Sequence, residues 1–138
     1  MIVAAGFALN SPHHQKAYAA GAMLSVTPTS GAYSAWNQNT VTGQNYAANE
    51  SVNIYWNYTG SGTGTLLTTA TADGTGAFST AVNRPLAATG TYTIAGVGQT
   101  SGLVASAPFQ LLPQLYAGPL DTGPGTQLHI DGNAFAAG

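Results

Sequence analysis

The 138-residue chain contains no cysteine and very little charge. Without thiols it can build neither a disulfide framework nor a thiolate zinc site, although that absence leaves the compartment open. Charged residues are 4% of the chain, against about 25% in an ordinary soluble protein. They are Lys16, Arg84, Glu50, Asp73, Asp121 and Asp131, for a net of −2. One lysine and one arginine cannot neutralise a run of phosphates, so no nucleic-acid partner is expected. The same shortage removes polybasic attraction to anionic lipid. No stretch reaches the roughly 18 apolar residues of a membrane helix, so membrane insertion of the module is not expected either. Scarce Glu and Lys also remove the usual material of exposed helices. What is abundant instead is Gly, Ala, Thr, Ser and Asn, which suits strands joined by tight turns.

Residues 1–22 read as a leader. An apolar run from Ile2 to Leu9 precedes a polar stretch and then Ala17-Tyr18-Ala19, a small–any–small pattern before Ala20. That order resembles an export signal whose start lies upstream, and it points to a secreted or cell-surface location. From residue 23 the pattern becomes regular. "LSVTP" reads as an edge strand closed by Pro28, because proline cannot donate to a ladder. "SGAYSAWNQN" reads as a loop and "TVTGQ" as a short strand. In "SVNIYWNY" the residues Val52, Ile54 and Trp56 alternate with polar neighbours, the period of a half-buried strand, with Tyr55 on the other face. "TLLTTATADGTGAFSTAV" predicts a hairpin about Asp73-Gly74, where glycine takes the backbone that a tight turn needs. "TYTIAGVG" and "LVASAPFQLL" complete the set. About seven short strands with regularly spaced turns predict an all-β antiparallel sandwich over 23–112.

After Leu112 the plan starts again. "GNAFAAG" (Gly132 to Gly138) answers "GQNYAANE" (Gly43 to Glu50), so that Gly132 matches Gly43, Phe135 Tyr46, Ala136 Ala47, Ala137 Ala48 and Ile130 Val41. The offset is 89 residues (132 − 43), whereas Pro119 answers Pro28 at 91 (119 − 28), a loop difference of two. "PLDTGPGTQLHIDGNAFAAG" resembles the opening of an immunoglobulin-like IPT/TIG repeat. "TATADGTGAFSTAV" is similar to the central hairpin of bacterial Ig-like repeats, and "AATGTYTIAGVGQTSGLVASAPFQL" to their last strands. Asn49-Glu50 departs from the Gly-Glu usual after the aromatic. The resemblance implies an Ig-like sandwich over 23–112 and an incomplete second repeat over 113–138, within a tandem protein of the bacterial surface. A strand donated by 113–138 to a neighbouring subunit is the other reading of that segment.

Catalytic candidates are sparse. Asp73 lies in a turn whose amides its side chain can bond. Asp121 lies in a Gly/Pro loop, and Asp131 and Glu50 flank strands, so no carboxylate pair is evident. His13 and His14 are adjacent in the leader, and His129 alternates with Leu128 and Ile130, as a solvent-facing strand residue does. "GSGTG" at 60–64 lacks the Lys and the following helix of a phosphate loop. No cofactor, metal or catalytic residue is therefore expected. The aromatic residues Tyr33, Trp36, Tyr55 and Tyr58 are the candidate ligand-binding set, because exposed rings can stack on sugars. The expected function is a structural or adhesive module, with neighbouring Ig-like repeats as partners. The alternative is binding of surface polysaccharide or protein, as an accessory to an enzyme domain elsewhere.

Overall fold

The computed structural model describes residues 21–32, 38–60, 63–118 and 129–133. These contain strands and no helix: β1 (Met23–Thr27), β2 (Ser30–Ala32), β3 (Gln38–Gln44), β4 (Ser51–Trp56), β5 (Thr65–Thr71), β6 (Phe78–Asn83), β7 (Gly90–Gly98), β8 (Val104–Leu112), β9 (Gln114–Gly118) and β10 (His129–Asn133). The first eight make a sandwich. One sheet has the order β1-β3-β6, and the other β2-β8-β7-β4-β5.

Alternation decides which residues face inward. Along β4, Val52, Ile54 and Trp56 are buried, as their spacing predicts, while Ser51 faces solvent. They meet Ile94 of β7, Phe109 and Leu111 of β8, Val26 of β1, Val41 of β3, and Phe78 and Val82 of β6 in one core. Trp56 stacks on Tyr92 with ring centroids 4.6 Å apart and meets Phe109 at a tilt, 5.9 Å away. Gly43 lies opposite Phe78, and any side chain there would strike the Phe78 ring. This glycine of the repeated phrase makes room for an aromatic.

Two features differ from the sequence expectation. The loop read into "SGAYSAWNQN" contains β2, which pairs with β8 in parallel within an otherwise antiparallel sandwich. The first strand thus changes sheets about Pro28: β1 pairs with β3, β2 with β8, and the Asn39 amide donates to the Pro28 carbonyl at 2.8 Å across the switch. Likewise, β5 and β6 do not form a hairpin. β5 pairs with β4 and β6 with β3, so the Asp73–Gly76 turn carries the chain from one sheet to the other. The cause is competition from the β3–β4 connection, which bonds both sides of the turn. Asn49 N–H donates to the Asp73 carbonyl, Ala72 N–H to the Glu50 carbonyl, and Tyr46 N–H to the Gly76 carbonyl, at 2.9 to 3.1 Å.

Gly76 is fixed there by two independent constraints. Its φ is +81°, and a Cβ would run into the Tyr46 carbonyl. Gly76→Ala is expected to cost at least about 1 kcal/mol in urea unfolding. An unchanged midpoint would mean that this turn does not hold the two sheets in place.

Beyond the sandwich, only Pro113 separates β8 from β9. β9 and β10 pair antiparallel, with Leu115 opposite Gly132 and Ala117 opposite Ile130. In the sandwich, Leu24 lies opposite Gly43 and Val26 opposite Val41. β9 therefore stands to β1 at an offset of 91 (115 − 24) and β10 to β3 at 89 (132 − 43), the two offsets read from the sequence. The residues differ sharply in burial, however. Val41 is completely buried, whereas Ile130 is 56% exposed and Leu115 66%.

Candidate functional site

Glu50 is the one buried carboxylate among the described residues. It ends the β3–β4 connection and reaches across to the β7–β8 turn. Its Oε1 accepts from Ala47 N–H at 2.6 Å and from the Ser101 hydroxyl at 2.8 Å. Its Oε2 accepts from Thr100 N–H at 3.1 Å and Ser101 N–H at 2.9 Å. Burial pushes the carboxyl up, but these four donors together hold it below the usual carboxylate range. Gly98 lies so close to the carboxylate that a side chain there would strike it. An ionised carboxylate with its lone pairs so occupied ties two connections together and has little capacity left for proton transfer.

Tyr46, on the same connection, is buried beside Phe78 with ring centroids 5.5 Å apart. Its hydroxyl donates to the Gly96 carbonyl of the opposite sheet at 3.1 Å. Burial, reinforced by the nearby Glu50 carboxylate, pushes this hydroxyl up to about 12. Asp73 does what its turn position predicts. Oδ1 accepts from Thr75 N–H, the Thr75 hydroxyl and Ala77 N–H at 2.6 to 3.1 Å, and these bonds hold its carboxyl below the ordinary range. Among the described residues, no three His, Asp or Glu side chains gather as a metal site would require. A cavity of about 400 Å³ opens where β1 passes β8, walled by Leu24, Val26, Ala107 and Pro108 with Thr91 and Gln110. No ionisable side chain lines it.

At the other end of the core, Arg84 closes the sandwich. Its guanidinium carbon sits 4.5 Å from the centre of the Phe109 ring, and its two terminal nitrogens donate to the Gly31 and Ala32 carbonyls at 3.4 Å.

The aromatic candidates divide. Tyr33 and Trp36 lie outside the described residues. Tyr55 and Tyr58 come together on the outward face of the five-stranded sheet, with ring centroids 5.6 Å apart and planes at 36°. A β-bulge in the β4–β5 pairing between Ile54 and Tyr55 sets Tyr55 opposite Leu66 of β5, while the regular β4–β7 register sets it opposite Ala95. Tyr58 N–H donates to the Thr93 carbonyl at 3.3 Å, bringing that residue back onto the same sheet. Next to the rings, the Asn53 amide donates to the Tyr55 hydroxyl at 3.3 Å, and the Thr69 hydroxyl to the Asn53 carbonyl oxygen at 2.8 Å. Alternation places Tyr55 outward; Tyr58, of the opposite parity, meets it past the end of β4 and past Asn57, whose φ is +53°, and Asn53 and Thr69 are made neighbours only by strand register.

The profile of the macroglobulin-like domain family, an Ig-like fold, matches residues 22–111. The match supports the Ig-like sandwich; it does not single out the narrower IPT/TIG likeness or a tandem repeat. Neither the curated proteins nor the solved structures compared with the chain give a match.

Proposed function

Since the chain belongs to the macroglobulin-like domain family, we propose that it is a non-catalytic structural module of a tandem-repeat protein, a stalk or adhesive bead outside the cell. The observation that carries this reading is the register of β9 on β10. It repeats that of β1 on β3, glycine opposite leucine and two places on an apolar pair, Val26 with Val41 in the sandwich and Ala117 with Ile130 beyond it. In the first module that pair of strands is roofed by Val52, Ile54, Ile94, Phe109 and Leu111. The exposed Leu115 and Ile130 occupy the equivalent inward positions, which fits residues 113–138 as the opening strands of a second module. The export-like leader supports a secreted or surface location.

The sheet order suits load-bearing. β2 lies near the chain's entry to the module and β8 at its exit, and they run parallel, with Ser30–Ala32 opposite Gln110–Leu112. Pulling on the entry and the exit loads these bonds in shear, together instead of one after another. Glu50 and Arg84, the buried or half-buried ionic groups of the sandwich, hold its connections together.

A chimeric chain tests the repeat. Residues 1–137 followed by a second copy of 49–111 would supply the hairpin with the missing strands at the aligned position. Two cooperative unfolding transitions are expected, with amide-exchange protection at Ile130 rising to that of Val41. A chimera that keeps the first transition but leaves its added segment unprotected would refute the tandem reading.

A further inference from the structure

We propose that the outward face of the five-stranded sheet, centred on Tyr55 and Tyr58, is a binding site for an uncharged polysaccharide. The first argument is the shape of the platform. Tyr55 stands opposite Ala95, which is fully buried although alternation places it on the outward side of β7. The Tyr55 ring is half-buried and its hydroxyl accepts from the Asn53 amide, so it has less rotamer freedom left to lose on binding. Leu66, directly opposite Tyr55 on β5, is 52% exposed and extends the apolar strip toward the sheet edge. A ring pair of this kind offers the C–H faces of sugars a surface of the right polarity.

The second argument is the hydrogen bonding beside the rings. Asn53 receives Thr69 and donates to the Tyr55 hydroxyl. The Tyr55 hydroxyl proton and the second Asn53 amide hydrogen remain to be donated outward, from groups whose orientation is already fixed. Pre-oriented neutral donors beside aromatic rings match a ligand dense in hydroxyl groups.

Charge chooses the class of occupant. Of the charged side chains of the sandwich, Glu50 lies in the buried clamp, Asp73 in the β5–β6 turn and Arg84 over Phe109, and β4, β5 and β7, the strands that carry this strip, contribute none. A neutral strip gives no electrostatic gain to an anionic or cationic polymer, and it imposes no desolvated charge on a neutral one.

The test is depletion of the full chain from solution by insoluble cellulose, chitin and a (1,3)-β-glucan, with peptidoglycan as the charged comparison, at low and high salt. Saturable, salt-insensitive binding to at least one of the neutral polymers is expected. The Tyr55→Ala/Tyr58→Ala variant is expected to bind roughly tenfold more weakly or worse, the combined worth of two aromatic contacts. Leu66→Asp guards against misfolding, since it adds a charge at an already exposed position; it should weaken binding with an unchanged melting temperature. The proposal is overturned by no saturable binding to any neutral polymer, by binding to peptidoglycan alone, or by binding that survives Leu66→Asp.

Discussion

Trp56→Ala is expected to destabilise the sandwich by about 3–5 kcal/mol. Trp56 is 3% exposed, stacks on Tyr92 and meets Phe109, so the truncation removes ring contacts on two strands of the same sheet. It also leaves a cavity that the sheets cannot close, because β4 is held in register by β5 on one side and β7 on the other. Phe109 carries the guanidinium of Arg84 on its ring, so loosening it would also release the contacts of Arg84 to β2. For a domain of this size the loss corresponds to a melting temperature lower by roughly 15 °C or more. Ser51→Ala, on the outward face of the same strand, is expected to change stability by about 0.5 kcal/mol or less. Thermal melts of the two variants measure the contrast directly. Equal shifts would mean that the core is not organised around β4.

Glu50→Gln is the second large effect, despite its near-identical shape. In whichever orientation the amide settles, its NH2 group faces backbone N–H donors: Ala47 on one side, Thr100 and Ser101 on the other. At least one donor loses its acceptor and meets another donor, which is expected to cost about 3 kcal/mol at neutral pH. The pH dependence identifies the cause. Because the folded carboxyl is held below its ordinary value of 4.5, the stabilisation by Glu50 is fully present above that value. It fades as pH falls through the lower, folded value. Wild-type stability should therefore decline in acid, and the decline should be shallower in Glu50→Gln, with Asp73 contributing a remainder of the same sign. Urea midpoints between pH 7 and pH 3 measure it. Parallel curves for the two proteins would show that the clamp is not ionic.

The contrast between these two residues shows what the sequence makes legible. Trp56 was readable because Val52, Ile54 and Trp56 alternate strictly, and a strand's period reports its faces without knowledge of its neighbours. Glu50 reads only as a strand-flanking residue, since three of its four donors, on Thr100 and Ser101, lie about fifty residues away in the β7–β8 turn. The Asp73 turn falls between. Its chemistry was legible, but turn residues fix only local backbone, and the β3–β4 connection decides which sheet each strand joins. β2 is hidden for a related reason: its three residues pair in parallel with β8, a partner 80 positions away (110 − 30), and a run that short carries no period of its own. The offsets of 91 and 89, in contrast, are visible because the two runs carry similar residues in the same order, and the register of β9 on β10 keeps them. Of the candidate ligand-binding set, strand alternation places Tyr55 alone; Tyr58 lies past the end of β4, and the Asn53–Thr69 network comes from register, which no linear pattern contains.

The single residue between β8 and β9 has a geometric consequence. Proline fixes its own φ, and strand backbone on both sides removes most of the remaining torsional freedom. In an array built on such joints, each module inherits a set rotation from the one before it. Any face repeated along the array then points in a defined sequence of directions around its axis. Whether successive faces can grip one rigid polymer at once becomes a question of phase, so lengthening the joint by a residue would change avidity without touching a contact.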